Sequence, residues 1–147
     1  MKPTIPDTVV TDADLMDFGQ SIGLLVRRLR AMKASQGISW TQSAVMKRLA
    51  TDGPATTADL ARAEGMKPQS MRTVIAALEE MGLIRRTPHP TDGRQVHIEL
   101  TDKGVAVRQS TREALWGWLA QAVAQLDVED RETLFAAGRI IKRLVEP

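Results

Sequence analysis

GMKPQSMRTVIAALEEMGLIRRTPHPTDGRQVHIELTDKG, residues 65–104, sets the reading of the whole chain. Its first half predicts a helix over 68–81. Pro68 suits a first helical position, where its missing N–H would go unpaired anyway. Met71, Val74, Ile75 and Leu78 share one face at 3.6-residue spacing, and Gly82 supplies a helix stop. The opposite face carries Gln69, Arg72, Thr73, Ala76 and Glu80, with Ser70 on its flank. Amides, guanidiniums and small methyls are the groups that match base edges in a major groove. Two strands follow, over 83–87 and 95–100. In the second, Val96, Ile98 and Leu100 alternate with Gln95, His97 and Glu99, the pattern of a half-buried strand. Between them lies a turn-rich tip, Pro88-His89-Pro90-Thr91-Asp92-Gly93-Arg94, carrying a cation. A short two-faced helix followed by a basic hairpin is a winged helix-turn-helix.

The segments GPATTADLARAEGMKPQSM, LEEMGLIRR and PTDGRQVHIELTDKG together resemble the MarR family of winged-helix transcription regulators, and the likeness extends upstream into ISWTQSAVMKRL. It covers about residues 38–104. The resemblance implies a mainly α (α+β) fold, a winged helix-turn-helix flanked by N- and C-terminal dimerisation helices. On this reading residues 1–147 form a single MarR-like domain. Residues 11–36 and 102–145 make the dimerisation helices, and residues 38–101 the DNA-binding module. There is one departure. The family often carries Asp-Arg-Arg at the wing tip, whereas this chain has Asp92-Gly93-Arg94, so one wing cation is absent.

Composition excludes several classes of function. The 147 residues suit one domain with a substantial core. No run of eighteen apolar residues is present, and the N-terminus lacks a signal-peptide apolar core, so a cytoplasmic protein is expected. The absence of cysteine excludes disulfides, thiolate metal sites, a cysteine nucleophile and the thiol-oxidation switch of some MarR-like regulators. Net charge is only +2, but its distribution is uneven. Residues 21–50 hold Arg27, Arg28, Arg30, Lys33, Lys47 and Arg48 and no acid, a clustering that raises the odds of an anionic partner, although a charge run alone more often marks a solvated helix face.

In chain order, residues 1–10 read as a loose arm and 11–35 as a long helix ending at Gly37. Leu15, Phe18, Ile22, Leu25, Leu29 and Met32 step by three and four, a heptad seam for packing along another helix. Ser39 and Gln42 form a capping-box pattern before a helix to about residue 50, with Ala44, Val45 and Leu49 as its apolar set. Asp52-Gly53-Pro54 is a turn. A short helix over 57–64 ends at Gly65, and its tight junction to the next helix makes the helix-turn-helix. Thr101-Asp102 opens a long helix to about 125, and Asp127 opens the last, with Leu134, Ala137, Ile141, Leu144 and Val145 in stripe.

The chemistry to be expected is binding. Gln69, Arg72 and Thr73, with Pro68 and Ala76 beside them, are the base-reading candidates, while Lys67, Ser70 and Thr57 are placed to touch phosphates. Arg85, Arg86 and Arg94 lie on or beside the wing. Arg94 is the candidate for a minor groove, and the family pattern gives Asp92 the role of holding it. The expected partners are a roughly palindromic double-stranded DNA operator and a second copy of the chain. No cofactor and no metal is expected, since His89, His97 and Glu99 match no ligand spacing. No catalytic motif is visible.

The resemblance further implies a small aromatic or amphipathic effector between the dimer helices and the winged module. Phe18, Ile22, Trp40, Met46, Trp116 and Leu119 are its candidate contacts, with Arg27 or Arg30 as a counter-charge; ordinary packing is the competing reading for each. The function expected is a homodimeric repressor released by such an effector. The alternatives are an effector-independent or architectural DNA-binding protein, and a winged-helix protein-interaction module.

Overall fold

A computed structural model of the chain describes residues 9–146. The elements run α1 (Asp12–Ser35), α2 (Trp40–Asp52), α3 (Thr57–Ala63), α4 (Pro68–Glu80), β1 (Ile84–Pro88), β2 (Val96–Leu100), α5 (Asp102–Ala124) and α6 (Val128–Val145). Most of the arm expected over residues 1–10 lies outside the described residues.

Five of the six helix starts are written in side chains that satisfy otherwise unpaired backbone donors, and the sixth, that of α4, has Pro68 at its first position instead. Ser39 Oγ accepts the Gln42 N–H at 3.1 Å, and Gln42 Oε1 accepts the Ser39 N–H at 2.9 Å, completing the capping box. Thr11 and Asp14 form a second such box before α1. Thr56, Thr101 and Asp127 cap α3, α5 and α6. Four junctions carry a glycine with positive φ, and two of them flank α4. Gly65 has φ 62° between α3 and α4, and Gly82 has φ 73° between α4 and β1, values that side-chain-bearing residues rarely adopt.

β1 and β2 pair antiparallel with Ile84 opposite Leu100, Arg86 opposite Ile98 and Pro88 opposite Val96. Ala55 adds a single bridge on the other side of β2. Its N–H donates to the Ile98 carbonyl at 3.1 Å and its carbonyl accepts from Ile98 at 2.7 Å. The loop between α2 and α3 is thereby tied to the open edge of β2. The expected alternation along β2 holds only in part. Ile98 is buried and Leu100 half-buried, but Val96 is exposed, because it sits on the outermost rung, where no helix covers the hairpin.

The core belongs to the winged module. Val45, Met46 and Leu49 of α2, Leu60 of α3, Met71, Ile75 and Leu78 of α4, and Leu83, Ile84 and Ile98 of the hairpin are buried together. The buried face of α2 is therefore Val45-Met46-Leu49, with Ala44 at its margin. The terminal helices differ sharply: α1 and α6 contain no buried residue, and α5 buries only Gly104 and Thr111. Leu15 is 58% exposed, Phe135 55% and Leu144 72%. The heptad seam of α1 is thus not ordinary core, since Ile22, Leu29 and Met32 are half-covered and Leu15, Phe18 and Leu25 are open.

One junction couples the two regions. The Thr101 hydroxyl donates to the Gly82 carbonyl at 2.6 Å and accepts the Gly104 N–H at 3.0 Å, and the Thr101 N–H donates to the Leu83 carbonyl at 3.1 Å. Lys103 Nζ reaches the Met81 carbonyl at 2.9 Å. The end of α4, the start of β1 and the start of α5 are therefore tied together by hydrogen bonds.

Candidate nucleic-acid interface

α4 is two-faced because its apolar residues recur at helical spacing. Met71, Ile75 and Leu78 are buried, and Val74 is half-buried beside them. On the other side Gln69, Ser70, Arg72, Thr73, Ala76 and Glu80 are all exposed. Pro68 stands at the first helical position, and Lys67 is the N-cap, with no side-chain hydrogen bond or ion pair among the described residues. Among the described residues Arg72 makes no ion pair or side-chain hydrogen bond, so its guanidinium is free to meet a partner. Thr73 Oγ1 sits 3.4 Å from the Gln69 carbonyl, a weak contact that a better acceptor would displace. Thr57 is half-buried at the start of α3.

α2 and α3 hold this helix in place. Arg48 donates from Nε to Glu64 at 2.8 Å and from Nη1 to Asp52 at 3.3 Å, bridging the end of α2 to the end of α3. The Glu64 hydrogen bond is the main reason its guanidinium holds its charge more firmly than usual.

The wing cations divide into two kinds. Arg85 Nε donates to Glu99 at 2.6 Å across the strand pair, and Arg86 Nε donates to Glu79 of α4 at 2.8 Å. Both arginines are exposed, and their terminal nitrogens make no hydrogen bond among the described residues, so each is able to meet a phosphate. Exposed pairs of this kind are worth about 0–1 kcal/mol. Arg94 has no acidic partner among the described residues. Asp92 does hold it, but through the main chain: Oδ1 accepts the Arg94 backbone N–H at 3.0 Å. Glu79, the anchor of Arg86, escaped the sequence reading, because a pair seven residues apart spans a helix end and a strand start.

A cavity of about 300 Å³ opens between α1, α2 and α5. Ile38, Met46, Leu115 and Trp116 give it apolar walls, and Lys33, Lys47, Arg108 and Arg112 bring four cations to it, with no carboxylate in the lining among the described residues. Lys33 Nζ lies 4.3 Å from the Trp40 ring centroid, a cation–π contact. Burial, and then the charge of Lys47, hold the Lys33 ammonium below the usual lysine value. Of the effector candidates, Met46 and Trp116 lie on this wall, while Phe18, Ile22, Trp40 and Leu119 lie off it. Arg30 stacks on Trp40 at 5.4 Å instead of entering the cavity. Sequence reasoning missed Arg108 and Arg112, although their spacing with Leu115 puts all three on one helical stripe.

The MarR family model matches residues 38–96. An uncharacterised HTH-type transcriptional regulator of Mycobacterium bovis is 35% identical over 130 residues, covering 88% of this chain and 91% of the relative. The HTH-type transcriptional repressor NicR of Pseudomonas putida is 25% identical over 114 residues, 72% of each chain. The crystal structure of RV1404 from Mycobacterium tuberculosis superposes with a TM-score of 0.78 at 25% identity, covering 92% of this chain and 95% of that one. Helix-turn-helix geometry, hairpin wing and these likenesses lead to one conclusion: the chain belongs to the MarR family of DNA-binding, winged-helix transcription regulators.

Proposed function

We propose that this chain is a homodimeric, sequence-specific repressor that acts in the cytoplasm and is released from its operator by a small anionic effector. The observation that carries the DNA reading is α4, whose buried apolar face leaves Gln69, Arg72 and Thr73 outward with the Arg72 guanidinium uncommitted. A face built for a protein partner would be richer in apolar and aromatic groups. Arg94 and the outward ends of Arg85 and Arg86 supply the wing contacts, with Lys67, Ser70 and Thr57 set against phosphates. Residues 38–101 are the DNA-binding module. Residues 11–36 and 102–145 supply the dimer interface, supported by the uncovered apolar side chains of α1 and α6. Two recognition helices about 34 Å apart would enter successive major grooves of a palindromic site and block a promoter by occupying it. The name of the Pseudomonas putida relative supports repression over activation.

The effector reading rests on the cavity. Four cations without a carboxylate around apolar walls suit an aromatic or amphipathic anion. Because α2 leads into the helix-turn-helix and α5 is bonded to the end of α4, a ligand wedged between them can bias the spacing of the two recognition helices. Release then requires only that the ligand bind the DNA-free arrangement more tightly.

Fluorescence anisotropy with DNA from upstream of the gene, against a scrambled duplex at two salt concentrations, tests the proposal. A preference of about 10³-fold or more, with affinity falling steeply in salt, is the expected result. Equal binding to both duplexes would replace it with an architectural role, and no binding to either at low salt with a protein-interaction module.

A further inference from the structure

The wing tip is built around an imidazole. His89, the first residue after β1, accepts two backbone hydrogen bonds on Nδ1, from the N–H of Thr91 at 3.2 Å and of Asp92 at 3.0 Å. Asp92 passes the constraint on. Its carboxylate accepts the Arg94 N–H at 3.0 Å, and its carbonyl accepts the Gln95 N–H at 3.1 Å. The His89 N–H then closes the loop on the Gln95 carbonyl at 3.2 Å. Every step from His89 to Arg94 is thus a hydrogen bond, and the chain begins at a nitrogen lone pair.

That lone pair exists only on a neutral ring. Two N–H donors converging on Nδ1 require the tautomer protonated at Nε2. An imidazolium carries N–H at both nitrogens and would turn a donor against two donors. We propose that His89 is the positioning residue of the wing: its neutral ring sets Asp92 and, through it, Arg94 for DNA, and its protonation releases the tip. The inference rests on the DNA-binding reading of the wing and adds a proton as its regulator.

Few charged groups stand near the ring. His97 of β2 stands edge-on to His89 with ring centroids 4.4 Å apart. The Thr91 hydroxyl is 3.4 Å from Nδ1 and adds no charge. Asp92 is the acid facing the ring across the turn, and its carboxylate is engaged with the Arg94 N–H. Arg94 is the cation of the same turn. Arg85 and Glu99, further along the hairpin, are paired with each other.

The sign of the pH effect separates positioning from mere charge. A histidine that only added positive charge beside a phosphate would tighten binding on acidification. Loss of the tip geometry does the opposite. DNA affinity of the full-length protein is measured between about pH 7.5 and 5.5, the range in which imidazoles titrate. The wild type is expected to weaken by about tenfold towards acid, the scale of two lost backbone hydrogen bonds. His89→Asn keeps an acceptor near Nδ1 without titrating, so it should bind like the wild type at high pH and lose most of the pH dependence. His89→Ala should bind weakly throughout, and His97→Asn should keep the pH dependence. Tightening of the wild type in acid, or an unchanged pH profile in His89→Asn, would overturn the inference. The amide resonances of Thr91 and Asp92, followed by NMR through the same range without DNA, give an independent readout. They should shift together with one midpoint, and flat traces would defeat the positioning role whether or not the protein binds DNA.

Discussion

Gly104, in the first turn of α5, lies against the main-chain carbonyl of Leu83, so closely that a Cβ there would overlap the oxygen; the Leu100 side chain closes the other side at 3.2 Å. The glycine is set by this approach and not by its own backbone, which is ordinary helix. Its absent side chain lets Thr101 bond to Gly82, Leu83 and Gly104 at once. Gly104→Ala should therefore separate α5 from the recognition helix and destabilise the fold by about 1–3 kcal/mol, the usual cost of overpacking a close contact. Chemical denaturation measures it. A change under a few tenths of a kcal/mol would mean that the junction is softer than its geometry indicates.

Arg72 and Lys67 should fail differently when truncated. Arg72 has no partner among the described residues and stands on the outward face of α4, where the proposal has it meet a guanine edge. Arg72→Ala should cost about 1–3 kcal/mol on the operator and relax the preference at one base pair. Lys67 precedes the helix, where the proposal sets it against a phosphate. Lys67→Ala should weaken all duplexes alike and reduce the log–log salt slope by about one. Binding to a set of single-base operator variants distinguishes the two patterns, and an even loss for Arg72→Ala would remove it from base reading.

Glu79 restrains a cation. Its carboxylate holds Arg86 Nε at 2.8 Å and is itself a negative charge on the exposed surface at the end of α4. Glu79→Gln should leave stability within about 1 kcal/mol, since the pair is exposed. It should also raise affinity for any duplex and steepen the salt slope by about 0.9, the equivalent of one more phosphate contact. Weaker binding would show instead that the pair orients Arg86 productively.

What the sequence reveals here tracks what is local. The capping box at Ser39 and Gln42, the left-handed turns at Gly65 and Gly82 and the buried face of α4 each depend on residues within one or two turns, so they are legible from spacing alone. The Ala55–Ile98 rung is not, because a single residue pair has no period. Arg85 and Glu99 meet only once the register puts Ile84 opposite Leu100. The cations of the cavity come from α1, α2 and α5, separated by up to 79 positions between Lys33 and Arg112, and only the folded chain brings them together. His89 belongs to the same class: a tip imidazole looks solvated until the turn aims two amides at it.

The apolar faces of α1 and α6 give a prediction about assembly. Leu15 and Leu144 are 58% and 72% exposed, so a charged residue at either costs a lone chain little. If they pack against a second copy, Leu15→Glu or Leu144→Glu should turn a dimer into a monomer by sedimentation while leaving the circular dichroism of the fold intact. The same variants should lose operator affinity, because single modules forfeit the second half-site. A wild-type monomer at micromolar concentration would remove the dimer from the proposal.

Lys33 reports on the cavity through its proton. Burial and the neighbouring Lys47 depress its ammonium below the usual value of 10.5. Between the folded value and 10.5 the unfolded chain binds more protons than the folded one, so stability should rise with pH through that window. Burial and Lys47 disfavour the charged form of Lys33, and an anion seated in the cavity would reverse the balance. It supplies the counter-charge that the lining lacks, so binding should move the Lys33 value upward and take up a proton in the same window. Benzoate serves as a probe. NMR titration of the lysine side-chain signals should show the Lys33 midpoint rising on saturation, and Lys33→Ala, Arg108→Ala and Arg112→Ala should each weaken the probe. If benzoate binds and the Lys33 midpoint stays where it was, the anion sits elsewhere, and the effector reading of this cavity falls with it.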